Sequence, residues 1–409
     1  MAGSLAHLRV LDLSRVLAGP WASQLLADLG AEIIKVEKPG EGDDTRAWGP
    51  PFLKDADGNE TRESAYFLSA NRGKRSVGID FTRPEGQELV RQLAARCDVV
   101  LENFKVGGLA KYGLDYAALK AVKPDLVYCS ITGFGQTGPY AQRAGYDFLV
   151  QGMGGLMSLT GEPGGEPMKV GVALTDIFTG MYASVAILAA LAHRDRTGQG
   201  QHIDLALLDV QAAVLANQAT NYLVGGVVPE RLGNSHPNIV PYQAFPTRDG
   251  HVILAIGNDG QFGRFCAVAG CPALAEDRRF ATNSDRVRHR TDLIPLLRAV
   301  MASRSTAEWI EVLEAAGVPC GPINDLAQVF ADPQLRHRDM VATLAHPLAG
   351  AVDLVANPIH FSETPISYDK APPLLGADTA SLLADIVGLD DKAIAELRVN
   401  GIISGECEP

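Results

Sequence analysis

The feature that most constrains this chain is an alternation of short apolar runs with amphipathic stretches over its first third. Residues 8–13 (LRVLDL), 31–37 (AEIIKVE), 76–81 (SVGIDF), 98–104 (DVVLENF) and 125–132 (DLVYCSIT) read as strands. Between them lie helical patterns. Pro20 suits the first position of a helix that runs through Leu29 and stops at Gly30. Residues 83–96 place Leu89, Val90, Leu93 and Ala94 on one face, and residues 114–121 form a further amphipathic stretch. Strand, helix, strand in repetition predicts a doubly wound α/β fold: a largely parallel sheet with helices on both faces.

The 409 residues exceed one ordinary domain. Glycine, proline and asparagine concentrate at 225–246, where a linker is expected. The expected organisation is a large α/β domain, 1–224, completed by 326–409, with a smaller α+β domain at 247–325. Residues 133–170 are glycine-rich and aperiodic, so they read as long loops, and a strand is expected at 170–174. The uncharged stretch 177–192 reads as a buried core helix rather than a membrane span.

A net charge of −12 argues against nucleic acid and anionic lipid as partners. Cysteines at 97, 129, 266, 271, 320 and 407 form no C-x-x-C pair and read as reduced thiols, so neither disulfides nor a zinc site is expected. The N-terminus lacks a basic leader with an apolar run, and a cytoplasmic protein is expected, or one of an organelle matrix if a leader has been removed.

Four constellations bear on chemistry. Gly133, Gly135 and Gly138 mimic the dinucleotide fingerprint, but Pro139 follows and no acid closes a second strand at the required distance, so NAD is not expected. Asp176 falls between an expected strand and an expected helix. It reads either as an N-cap or as a carboxylate nucleophile, ionised beside a helix N-terminus. Lys35, Lys38, Arg46, Arg72, Lys74, Arg75, Lys105 and Lys111 lie on the early βα units, several of them after strand ends, and suit either a solvated rim or a phosphate-rich ligand. Gly257, Asn258, Asp259, Gly260 and Gln261 form either a capped turn or a mobile loop over a reactive intermediate.

With these residues in view, the chain resembles the class III CoA-transferases, the formyl-CoA or carnitine–CoA transferase (CaiB/BaiF) family. The resemblance rests on VLDLSRVLAGP (10–20), LGAEIIKVEKPGEGDDTR (29–46), NRGKRS (71–76), ENF (102–104), SITGFGQTGP (130–139), AGYD (144–147), LTDIFTG (174–180), TGQGQHIDLALLD (197–209) and PPLLGADT (372–379). NYLVGG (221–226), IVPYQAF (239–245), GVPCGPIND (317–325) and AIAELRVNGII (393–403) are similar to the succinyl-CoA:glutarate branch.

The resemblance implies a homodimer of interlocked ring-shaped subunits. It implies acyl-CoA and a small carboxylic acid as substrates, with no metal, and an aspartyl-CoA thioester on Asp176. Implied CoA contacts are Ala18, Lys38, Ile79, Thr82, Asn103, Phe104, Lys105, Lys111 and Tyr146. Gly257, Gly260 and Gln261 match the family's glycine loop. A dicarboxylate acceptor needs a cation, for which Arg46, Arg143 and Arg231 are candidates, Arg143 favoured because it precedes AGYD. Succinyl-CoA with glutarate is the expected pair. The alternative is a 2-methylacyl-CoA racemase. That branch has a histidine at the position of Tyr146, beside the acid at Asp147, and a phenol is a weak base at neutral pH.

Overall fold

Five parallel strands realise the alternation read from the sequence, β1 (Arg9–Asp12), β2 (Glu32–Glu37), β3 (Lys74–Ile79), β4 (Val99–Glu102) and β5 (Val127–Thr132), and a sixth, β6 (His202–Ala206), joins them in the same sheet. This computed structural model describes residues 3–404, and Cys407 lies outside them. The strands are ordered 3-2-1-4-5-6, and Ile403–Ser404 adds an antiparallel edge beside β3, with Ile403 opposite Ile79. The order reverses between β1 and β4, and open α/β sheets take their ligands outside the carboxyl ends of strands at such a switch point.

Side chains alternate across the sheet, so adjacent apolar residues serve opposite cores. Leu11, Ile34, Val77 and Val100 face α2 (Pro84–Ala94) through its Leu89, Val90 and Leu93. Val10, Ile33, Val99 and Val127 join a second cluster with Ala22 and Leu26 of α1 (Ala18–Asp28). Between β4 and β5 runs α3 (Tyr116–Val122). Helix α1 starts two residues before Pro20, which is therefore its third residue rather than its first.

The stretch 133–170 is not wholly loop: it contains α4 (Asp147–Met153) and a helical turn, Leu156–Leu159. The strand expected at 170–174 does not form. Its backbone is engaged by a side chain, since Val170 N–H donates to Gln151 Oε1 at 2.9 Å. Helix α5 already begins at Leu174 and runs to Thr197. By length and composition α5 is apolar enough to cross a membrane, and half of its most apolar window is buried within the protein. Ala183, Ile187, Ala190 and Leu191 belong to the core shared with α1. Helix α6 (Leu207–Val214) follows β6 directly.

The chain divides into two compact units. The first comprises residues up to Leu156, Val170–Thr220 and residues from Arg336 on; the second comprises Met157–Lys169 and Asn221–Leu335. Residues 225–246 thus lie within the second unit, and Tyr242–Pro246 is a strand there, paired with His251–Ala255. With Cys320–Gly321 these make a three-stranded antiparallel sheet whose core includes Phe245, Leu254, Phe262, Leu297 and Trp309.

Candidate functional site

The loops that leave the carboxyl ends of β1 to β5 enclose a cavity of about 830 Å³ in the first unit. Ala18 and Lys38 enter it after β1 and β2, and Ile79 and Thr82 at the end of β3. Asn103, Phe104, Lys105 and Lys111 follow β4. Arg143 and Tyr146 come from the segment after β5, and Asp176 from the first turn of α5. Two glycines make this convergence possible. A Cβ on Gly133, just past β5, would lie 2.5 Å from Gly145 Cα, so only paired glycines let the 144–147 segment fold back onto the strand end. Of the dinucleotide-like motif, Gly133 thus serves this packing, while Gly135 and Gly138 take left-handed backbone at φ 89° and 92°.

Asp176 is the third residue of α5, not its cap. The N-cap position is Ala173, which offers no side-chain acceptor. Asp147, the first residue of α4, does that work: its Oδ1 accepts from Thr175 N–H at 2.8 Å and from Asp176 N–H at 3.2 Å. Gln151 Nε2 steadies the other oxygen at 2.7 Å. The helix-end field expected to ionise Asp176 is therefore offset by a second carboxylate. Burial, and then the charge of Asp147, push the Asp176 carboxyl up to about 7. This corrects the expectation of a freely ionised nucleophile. Sequence reasoning noted Asp147 only as a neighbour of Tyr146; its contact spans 29 residues, which no local pattern reports.

The basic residues sort into two groups. Lys35 and Lys74 are fully buried, Lys35 paired with Asp43 at 2.9 Å and Lys74 with Asp12 at 3.3 Å. Burial brings Lys74 down to about 7 despite its partner. Burial opposes the Asp43 charge too, but Lys35 and Thr45 hold it at about 2. Arg72 pairs with Asp28, and Arg75 with Glu32 and Asp378. These side chains are occupied within the fold, which corrects their reading as phosphate ligands. Lys38, Lys105 and Lys111 line the cavity. Lys38 contacts Glu41 in an exposed pair that costs little to open.

The three candidate arginines also separate. Arg46 is buried, forked onto Glu37 at 2.8 and 2.9 Å, paired with Glu63 and laid over the Phe67 ring. It is a structural cation, contrary to expectation. Arg231 belongs to the second unit, where its Nη2 donates to Gly165 O. Arg143 lies over Tyr140 and Phe134, with its guanidinium carbon 4.6 and 5.3 Å from the ring centres. Among the described residues it makes no ion pair.

Gly257, Gly260 and Gln261 also lie in the second unit. Asn258 caps the helix Asp259–Val268 by accepting from Gln261 N–H, Gly257 N–H donates to Gln261 Oε1, and Asp259 pairs with the fully buried Arg286. The segment is thus a capped helix start.

Two aromatic residues escaped sequence reasoning. Trp48 and Tyr66 meet edge to face, with ring centres 5.2 Å apart. Burial, then the charges of Asp176, Asp147 and Asp43, raise the Tyr66 hydroxyl to about 12. Tyr66 is therefore a neutral phenol, and it is not among the residues that line the cavity.

The family model for CoA-transferase family III matches residues 5–379. The chain belongs to that family. It is, accordingly, an enzyme that transfers CoA. It is 54% identical over 389 residues to the succinate–glutarate CoA-transferase of Agrobacterium fabrum, covering 95% of this chain and 97% of that one. It is 44% identical over 399 residues to the human succinyl-CoA:glutarate CoA-transferase, covering 98% and 90%. The crystal structure of a CaiB/BaiF family protein from Brucella suis superposes with a TM-score of 0.83 at 54% identity, covering 94% of this chain and all of that one.

Proposed function

We propose that this enzyme moves CoA from succinyl-CoA to glutarate, or to a similar dicarboxylate, through an aspartyl-CoA thioester on Asp176. The observation that carries the reading is the Asp176 carboxyl, without an ion pair among the described residues, at the switch point of the sheet, inside a cavity also lined by Lys38, Lys105 and Lys111 and by Arg143, which makes no ion pair among the described residues. The names of the relatives supply the acid pair.

Asp176 carboxylate attacks the succinyl-CoA carbonyl, forming a mixed anhydride and expelling CoA thiolate. The thiolate attacks the aspartyl carbonyl, giving the aspartyl-CoA thioester and free succinate. Glutarate attacks that thioester, again expelling thiolate. The thiolate then takes the glutaryl group and restores the carboxylate. Thioester replaces thioester, so no ATP is consumed. The N–H groups of Thr175 and Asp176 are occupied by Asp147, which leaves the Ala18 and Gly19 N–H groups at the start of α1, where no side chain caps the helix, as candidate oxyanion donors. Lys38, Lys105 and Lys111 suit the CoA phosphates, and Arg143 the distal carboxylate.

The interlocked homodimer belongs to the same proposal. It is supported by the exposed apolar residues Leu223, Val224, Val227 and Val228, and by Met181, Tyr182 and Val185 on α5. Chromatographic separation of acyl-CoA products tests the function. Succinyl-CoA plus glutarate should yield glutaryl-CoA without ATP, and D176A and D176N should yield none. Failure with every dicarboxylate offered, or deuterium uptake from solvent at the α-carbon of a 2-methylacyl-CoA, would overturn the reading.

A further inference from the structure

Val16 is a β-branched residue at φ 71°, a left-handed backbone that such side chains avoid. It lies in the turn between β1 and α1, and the residues around it are clamped from three directions. Ser14 O accepts from Lys35 Nζ of β2 at 2.9 Å. The Asn103 side-chain amide, just past β4, takes both Arg15 N–H and Arg15 O, at 2.9 and 2.7 Å. Val16 N–H donates to the Asp43 carboxylate, 3.2 and 3.3 Å from its two oxygens. Asp43 is itself fixed: it pairs with fully buried Lys35 and accepts from Thr45 N–H at 3.0 Å and from the Thr45 hydroxyl at 2.8 Å.

The strained turn sets the direction in which α1 departs. Leu17 and Ala18 line the cavity with Asp176. Helix α1 seats so tightly on α5 that a Cβ on Gly180, one turn beyond Asp176, would lie 2.7 Å from Ala18 O. A relaxed, negative φ at Val16 would redirect the first turn of α1 relative to Asp176.

We infer that Asp43, countered by Lys35 and bonded to the Val16 N–H, is a positioning residue that holds the Leu17–Ala18 backbone against Asp176 for CoA transfer. The inference rests on the reading of this cavity as the CoA-transfer site. A merely structural Asp43–Lys35 pair would stabilise the fold without any dependence on Val16.

A double-mutant cycle separates these. D43N turns one acceptor oxygen into an amide that cannot receive both Val16 N–H and Lys35. With Val16 present, D43N should lower kcat/KM about tenfold or more, and weaken CoA binding measured by calorimetry. Glycine adopts the left-handed region without cost. In the V16G background, D43N should therefore lose less than about threefold relative to V16G alone. If D43N fails to fold, T45V, which removes only the hydroxyl donor to Asp43, takes its place with a smaller loss of the same pattern. Equal losses in both backgrounds, or a lower Tm with kinetics and CoA affinity intact, would overturn the inference. A wild type that binds CoA but exchanges no acid would overturn the functional reading instead, while the binding cycle still decides this one.

Discussion

Asp147 caps the helix that carries Asp176: its carboxylate accepts the backbone N–H of Asp176 at 3.2 Å and stands beside that residue's own carboxyl. The proposed nucleophile thus sits at a helix start whose positive field is already engaged by another acid. Such a carboxyl is protonated in part at neutral pH and gains its charge only as pH rises through about 7.

The pH–rate profile should therefore show an acidic limb near 7. In D147N the like charge is gone, while the amide oxygen can still cap the helix. The limb should then move to lower pH, with kcat at alkaline pH changed far less than at pH 6. A limb that stays in place would mean that burial alone sets it.

Stability should follow the same group with a definite sign. The Asp176 carboxyl is raised in the folded protein from the ordinary 3.8 to about 7, so the folded state holds its proton more tightly than the unfolded chain. Stability contributed by the protonated form is full at low pH and is lost as pH climbs through this window. D176N removes the loss. Its Tm should exceed that of the wild type by several degrees at pH 8, and the gap should shrink toward pH 4 in thermal scans.

Arg143 and Arg46 should part company on substitution. R143M should raise the KM for glutarate about tenfold or more, as expected when a charge-assisted contact is lost. It should leave CoA affinity nearly unchanged, and R143K should recover part of the effect. Steady-state kinetics with glutarate and with a monocarboxylate of equal length checks this, since the monocarboxylate should be indifferent.

R46M should do the reverse. It strands Glu37 and Glu63, both buried, and loss of one partner in such a pair costs about 3–5 kcal/mol. Chemical denaturation should register that loss, while the folded fraction keeps its acceptor KM.

The parallel sheet was legible because its strands bury both faces, so adjacent residues such as Val10 and Leu11 or Ile33 and Ile34 had to be apolar together. Part of the cavity was legible in the basic residues of the early βα units, Lys38, Lys105 and Lys111, whereas Ala18, Asn103 and Tyr146 were reached only through the family resemblance. The features that escaped reading depend on contacts distant in sequence. Lys35 and Lys74 look like rim lysines until Asp43 and Asp12 are placed beside them in the interior. The extended residues before α5 look like a strand, yet the Gln151 side chain engages the Val170 N–H and helix α5 already begins at Leu174. Arg46 looks like a substrate ligand until Glu37, Glu63 and Phe67 surround it.

Incubation with succinyl-CoA, trapping with hydroxylamine and peptide mapping test the central claim most directly. A succinyl-CoA-dependent hydroxamate on Asp176, absent in D176N, is the predicted result. An unmodified Asp176 in enzyme that still forms glutaryl-CoA would contradict the covalent route.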